Sequence, residues 1–266
     1  MARCGNEIEV MLRGPAGILG RVLTYLHETT VDGVVARQFL LAEIPGMLWS
    51  PADATGSCPL VLLGHGGGQH KSAPGVVSRA RRYVIECGFA VAAIDAPAHG
   101  DRPRTEQDNQ FEAEISARRA AGDPVAPLIV AENAKRAVQA VPDWRATLDA
   151  LQAELGAGPV GYWGVSLGSM IGIPFVAAES RVTAAVFGLA GRETLAEPAA
   201  RITIPVEFLL QWDDELMPRE SGLALFDAFG SAEKTLHANP GPHMGVPAFE
   251  LDSSERFFTR HLGVAS

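Results

Sequence analysis

The sequence predicts an α/β protein: a doubly wound, mostly parallel sheet with helices on both faces. Three observations predict it. From Pro59 onward, short apolar runs alternate with stretches of helical periodicity, the pattern of repeated βαβ units. Two of the apolar runs end in glycine-bearing loops, Gly64-His65-Gly66-Gly67-Gly68 and Gly164-Val165-Ser166-Leu167-Gly168, where backbone comes close to a neighbour or a ligand. Finally, 266 residues that are 47% hydrophobic and only 20% charged can bury one large core. A single domain over residues 1–266 is therefore expected.

The run Pro59 to Leu63 is short and apolar, as a buried strand requires. After its loop, Val76, Val77, Ala80, Tyr83, Val84 and Cys87 recur at helical spacing, and Gly88 stands where a helix end needs positive φ. Phe89 to Ile94 is a second buried strand, so the helix between them is a right-handed parallel crossover. Val141, Trp144, Leu148, Leu151 and Leu155 predict a further helix with Pro142 in its first turn. Later strands are expected at Pro159 to Trp163, Val182 to Leu189, Pro205 to Leu210 and Lys234 to Ala238, with helices near 169–178 and 219–229. The chain before Pro59 is less periodic and suits antiparallel edge strands.

Residues 101–140 are too many for an ordinary connection between a strand and its return helix. They predict an inserted helical lid, with Phe111, Ile115, Leu128, Ile129 and Val130 turned toward the carboxyl ends of the strands.

A formal net charge of −9 opposes phosphate backbones and anionic lipid headgroups, which carry the same sign. Neither nucleic acid nor a membrane surface is an expected partner. Cys4, Cys58 and Cys87 have no metal-ligand or disulfide-framework spacing, so neither a metal site nor a bridge is expected. The opening residues Met1 to Glu7 lack the apolar core of a signal peptide, and no uninterrupted apolar run reaches bilayer length. The expected location is cytoplasmic.

The residues with chemical meaning gather at strand ends. Gly164-Val165-Ser166-Leu167-Gly168 follows one expected strand and precedes an apolar helical stretch, the setting of a G-x-S-x-G nucleophile elbow. The bland alternative is a glycine-rich turn with a capping serine; the flanking strand and helix favour the elbow. An elbow serine needs a base, because a neutral hydroxyl is a poor nucleophile. His243 follows the last expected strand in the loop Asn239-Pro240-Gly241-Pro242-His243 and can reach the same edge. His237 lies within that strand and is expected to pack, while His65 and His99 are expected to brace their loops. The base needs an acid to orient it, and Asp213, Asp214 and Glu215 stand together after the strand ending at Leu210. The residues alone leave Asp213 and Asp214 open, and at least one of the three is expected to be a solvated loop charge. Oxyanion donors, often worth ~3 kcal/mol each, are expected from the amides of Leu167 and Gly67, the latter preferred to Gly66. Arg102 and Arg104 are either binders of a substrate carboxylate or solvated loop residues.

Taken in order, Leu63 to Gly68, Asp95 to Arg102, the elbow, Asp214 to Pro218 and Gly241-Pro242-His243 resemble the α/β-hydrolase superfamily. The likeness is greatest to its dienelactone-hydrolase-like and prolyl-oligopeptidase-like serine esterases, from about Pro59 to the C-terminus. The family's acid stands four residues before a proline in a G-x-x-D-x-x-x-P pattern, which selects Asp214, although Gln211 replaces the glycine. Dienelactone hydrolases proper carry cysteine at the elbow, where this chain has Ser166. No accessory propeller fits in this length, and no cap is inserted between Leu189 and Pro205. The resemblance implies an enzyme that cleaves a small-molecule carboxylic ester through an acyl-enzyme on Ser166, with His243 and Asp214 and without a cofactor. Thioester, lactone or amide cleavage and acyl transfer would use the same residues. A non-catalytic binding module would be expected to lack part of the set.

Overall fold

In the computed structural model the described residues are 23–54 and 56–263. Cys4 and the Met1 to Glu7 segment lie outside them. Among the described residues nine strands form one sheet in the order β1-β2-β3-β5-β4-β6-β7-β8-β9. Three antiparallel strands occupy one edge: β1 (Leu23–Val31), β2 (Val34–Leu41) and β3 (Ile44–Pro51). Asp32 and Gly33, both at positive φ, make the two-residue turn of the first hairpin, whose left-handed backbone matches the strand twist.

β4 (Leu60–Gly64) and β5 (Ala90–Ile94) pair in parallel, and β3 joins β5 antiparallel. Between them runs α1 (Pro74–Cys87), opened by Pro74 and closed by Gly88 at φ 69°, whose amide reaches back to the Val84 carbonyl at 3.1 Å. The chain then returns to the other side of β4 with β6 (Val160–Gly164), followed outward by β7 (Val182–Gly188), β8 (Val206–Gln211) and β9 (Lys234–Asn239), all parallel. Strand order thus reverses at β4, which leaves a crevice outside the carboxyl ends of β4 and β6.

Alternation along each inner strand sends side chains into two cores. Leu60 and Leu62 of β4 and Ala90, Ala92 and Ile94 of β5 join one core; Val61, Leu63, Val91 and Ala93 join the other. The first core is covered by α3 (Ala126–Leu155), α4 (Leu167–Ala178), the short α5 (Ala196–Ala200) and α6 (Arg219–Ala228). The second is covered by α1 and α7 (Phe249–Leu262), with Tyr83 and Phe258 edge to face at 5.7 Å. Two-sided burial explains why these strands read as continuous apolar runs.

Residues 101–140 form α2 (Glu106–Ala121) and the first half of α3. A capping box starts α2: the Asp108 amide donates to Thr105 Oγ1, and the Thr105 amide donates to Asp108 Oδ2. Pro142 is a correction. It lies inside α3, which begins at Ala126, rather than in a first turn. The apolar spacing from Val141 to Leu155 is real but marks only the half of α3 that packs on the sheet. Trp144 is its anchor, buried edge to face against Tyr162 at 5.9 Å. None of the described helices is long and apolar enough to cross a membrane.

Replacing Trp144 with alanine should cost about 3–5 kcal/mol, the usual range for emptying a buried aromatic site. Urea unfolding followed by circular dichroism measures it; a loss below 1 kcal/mol would mean that α3 is not held through this contact.

Candidate active site

Ser166 sits between the end of β6 and the start of α4 with φ 56° and ψ −118°, a backbone conformation costly for a residue with a side chain. The surroundings impose it. The Ser166 amide donates to the Gly188 carbonyl of β7 at 2.9 Å. The Tyr162 hydroxyl donates to the Gly168 carbonyl at 2.7 Å. Fully buried Ser169 shares its hydroxyl hydrogen between the carbonyls of Gly164 and Gly188, at 2.7 and 2.8 Å, and accepts the Gly188 amide at 2.8 Å. The flanking glycines are dictated by space. A Cβ on Gly168 would lie 2.6 Å from the Gly64 carbonyl oxygen, and one on Gly164 would lie 2.8 Å from that of Gly168. Backbone meets backbone here, so neither neighbour can yield as a flexible side chain would.

The structure brings Ser166, His243 and Asp214 together from three strand ends. His243 Nε2 lies 2.9 Å from Ser166 Oγ, and Nδ1 lies 2.7 Å from Asp214 Oδ2. A carboxylate only accepts, so Nδ1 carries the hydrogen and Nε2 is left to receive one from the serine. Both the His243 and Asp214 side chains are buried. Burial alone would raise the Asp214 carboxyl. The bonds from His243 and from the amides of Met217 and Leu216, each amide at 2.8 Å, outweigh it and hold that group below its ordinary range.

The neighbouring carboxylates hold the same loop. The Gly241 amide donates to Asp213 Oδ2 at 3.1 Å, and the His243 amide donates to Glu215 Oε2 at 2.9 Å. Asp213 and Glu215 are exposed loop charges, as expected of at least one of the three acids, and each also binds a backbone amide of the histidine loop. Gln211, where the family pattern has glycine, sends Nε2 to the carbonyls of Pro240 and Pro242 at 3.4 and 3.3 Å.

Across the crevice, the Gln69 amide donates to the Gly66 carbonyl at 3.2 Å, and positive φ in this turn is confined to Gly68. A Cβ on Gly67 would meet nothing within 4 Å, so that position faces open space. The Leu167 amide, first in α4, belongs to the helix N-terminal set that has no intrahelical acceptor. His65 braces the turn: its Nε2 accepts the Ala96 amide at 3.0 Å, and its Nδ1 lies 2.9 Å from the Gly66 carbonyl. Burial lowers this imidazole to about 4, with the Gly66 contact opposing the shift.

Lys71, overlooked in the sequence, ties the loop after β4 to the loop after β5. Its amide and Nζ each donate to buried Asp95 at 2.8 Å, and Nζ also reaches Asp101 at 2.6 Å. Burial would lower the Lys71 ammonium, but the two carboxylates raise it above its usual value. Asp95 also accepts the Asp101 amide at 2.9 Å, so this buried ion pair is well supplied with partners.

Neither arginine after Asp101 is free. Buried Arg102 donates to Asp143 at 2.5 Å and to the Glu43 carbonyl at 3.2 Å, while Arg104 pairs with Glu112 at 2.7 Å. Arg102 is thus an internal pair and not the solvated loop residue expected, whereas Arg104 is exposed, as the solvated reading expects, and pairs at the surface. His237 is a quarter exposed and is hydrogen-bonded to Glu250 at 2.8 Å instead of simply packing.

No family model matches the sequence, and no curated protein does. Solved structures do. A PEG-bound cold-adapted esterase from an Arctic intertidal metagenomic library is 36% identical, with a TM-score of 0.71 over 88% of this chain and 97% of its own. The chain belongs to the α/β-hydrolase esterases. An acetyl xylan esterase from Paenibacillus sp. R4 shares the fold at 15% identity, TM-score 0.62, covering 90% of this chain and 88% of its own. A dienelactone hydrolase from Anabaena variabilis does so at 19% identity, TM-score 0.57, over 89% and 98%. Within this esterase family fold, the hydrogen-bonded serine, histidine and aspartate lie at the strand-order reversal where such sheets bind ligands.

Two outcomes test this packing. Gly168→Ala should lower the thermal midpoint by several degrees and disturb Ser166, because its methyl has no space against Gly64; an unchanged midpoint would contradict the close approach. His65 stays neutral in the folded protein while an unfolded histidine gains a proton below about 6.5. Stability is therefore present above that pH and is lost as pH falls toward 4. The lowering from 6.5 to about 4 sets a ceiling of ~3 kcal/mol. Urea titrations between pH 4 and 8 should show a shallower acid loss in His65→Gln; identical slopes would overturn the assignment.

Proposed function

We propose that this esterase cleaves small-molecule carboxylic esters through an acyl-enzyme on Ser166, with His243 as general base and acid and Asp214 as its orienting carboxylate. The observation that carries the reading is the unbroken chain from Asp214 through both ring nitrogens of His243 to Ser166 Oγ, at 2.7 and 2.9 Å. Such geometry lets the imidazole take the serine proton as Oγ attacks the acyl carbon. The oxyanion then forms against the amides of Leu167 and Gly67, preset donors that need no reorganisation during reaction. His243 returns the proton to the leaving alcohol, a water deprotonated by the same ring attacks the acyl carbon, and the acid departs with Ser166 restored. Asp214 stays ionised throughout and stabilises the transient imidazolium. The reaction so written calls on no cofactor.

The esterase names carried by the structures of similar fold support an ester as the acyl substrate. Because buried Arg102 is paired with Asp143, it supplies no free cation for a substrate carboxylate. We assign residues 101–140 to covering the crevice: half-buried Phe111, Leu128, Ile129 and Val130 and buried Ile115 give α2 and the start of α3 an apolar side.

A fluorophosphonate probe should label the wild-type chain and leave Ser166→Ala unlabelled, and the variant should lose turnover of short p-nitrophenyl esters. Undiminished turnover in Ser166→Ala sinks the mechanism. Asp214→Asn should lower kcat by about 10³–10⁴-fold, the cost of misorienting such a histidine, whereas Asp213→Asn should keep most of its turnover. Equal losses in the two would move the acid away from Asp214. A panel of ester, thioester, lactone and amide substrates ranks the acyl classes.

A further inference from the structure

We propose that Glu207 and His237, backed by Glu250, form a binding site for one divalent first-row transition ion of the zinc type, separate from Ser166. The site lies beneath α7, on the sheet face shared with α1, at the outer strands β8 and β9. Glu207 stands second in β8 and His237 is fourth in β9, whereas Ser166 lies beyond the carboxyl end of β6.

Three observations on these side chains converge. Glu207 is 4% exposed, and its Oε1 has no hydrogen-bond partner among the described residues. Among the described residues no lysine or arginine comes within ion-pairing distance of it, although the charges of Arg256 and Arg79 act on it from farther away. A buried carboxylate oxygen without a donor needs a proton or a cation. Second, Glu207 Oε2 faces His237 Nε2 at 3.8 Å. That gap is too long for a hydrogen bond and close to the span of two ligands sharing an ion at ~2.1 Å each. Third, Glu250 lies behind the ring. Its Oε2 is 2.8 Å from His237 Nδ1 and its Oε1 accepts Asn239 Nδ2 at 2.8 Å. A carboxylate on Nδ1 fixes the tautomer that leaves the Nε2 lone pair for a metal.

Potential ligand atoms of the three residues all lie within 4.8 Å of one another. A cavity of about 230 Å³, lined by Glu207, Thr235, His237 and Arg256 among others, gives an ion access and room for the waters that complete its coordination. Imidazole with carboxylate favours zinc, cobalt or nickel over calcium and magnesium, which take all-oxygen sets. Cysteine spacing gave no sign of this site because it uses none, and its ligands come from two strands and a helix.

The test uses the untagged full chain after EDTA treatment and dialysis. Titration with Zn²⁺ in a calorimeter should give saturable one-to-one binding, and Co²⁺ should develop visible d–d absorption. Glu207→Gln, nearly isosteric and free of the buried charge, should weaken binding by about tenfold or more, and His237→Ala should do the same. His243→Ala should bind as the wild type does, which separates this site from the serine site. Wild-type affinity in both Glu207→Gln and His237→Ala, or no saturable uptake by the wild-type chain, would overturn the proposal. The readout is binding, so its failure leaves the ester chemistry untouched.

Discussion

The close backbone contact between Gly64 and Gly168 is the constraint on which the site depends. Only with no side chain on α4 at that point can the helix start directly against the end of β4. That proximity forces the β6–α4 turn to be sharp and holds Ser166 at φ 56°. The strain is borne by bonds from fully buried groups: Ser169 links the ends of β6 and β7, and Tyr162 holds the first turn of α4. Remove the contact, and the half-buried serine has no reason to stand at the strand-order reversal.

A second constraint acts on the histidine. His243 rides on a loop with no secondary structure of its own, between β9 and α7. Its position is nevertheless defined from below by Gln211 and from the side by Asp213, Asp214 and Glu215, each engaging an atom of the 240–243 segment. A loop becomes as determinate as a strand when its amides and carbonyls have named partners. At the other end of this loop, Asn239 and Glu250 bond to each other, closing its two stems. Glu250 thus serves both the loop carrying His243 and the His237 ring of the proposed metal site.

On the opposite lip, the turn after β4 is held by His65 and by the buried Lys71–Asp95 pair. These are polar interactions in a dry setting, and their worth lies in geometry more than in net stability. They fix the backbone of residues 65–71, the turn that carries the proposed oxyanion donor Gly67. Preset donors of this kind are the largest single contribution in acyl transfer.

Sequence by itself determined the strand–helix alternation, since two-sided burial leaves long apolar runs and amphipathic helices leave a 3.6-residue period. It also marked Ser166, His243 and the acid cluster, because strand ends with glycine, proline and acidic residues are visible as strings. The start of α3 was not legible: Pro142 reads as a first-turn residue, while tertiary packing carries the helix through it from Ala126. Nor were the partners of Asp213, Glu215, Arg102 and Lys71, whose bonds join residues 24 to 59 positions apart. Choosing Asp214 over Asp213 needed either a family pattern or the fold, because adjacent loop aspartates differ only in where their side chains point. The Glu207–His237–Glu250 cluster is the extreme case: three unremarkable positions on β8, β9 and α7 become one site only when the sheet and its covering helix bring them together.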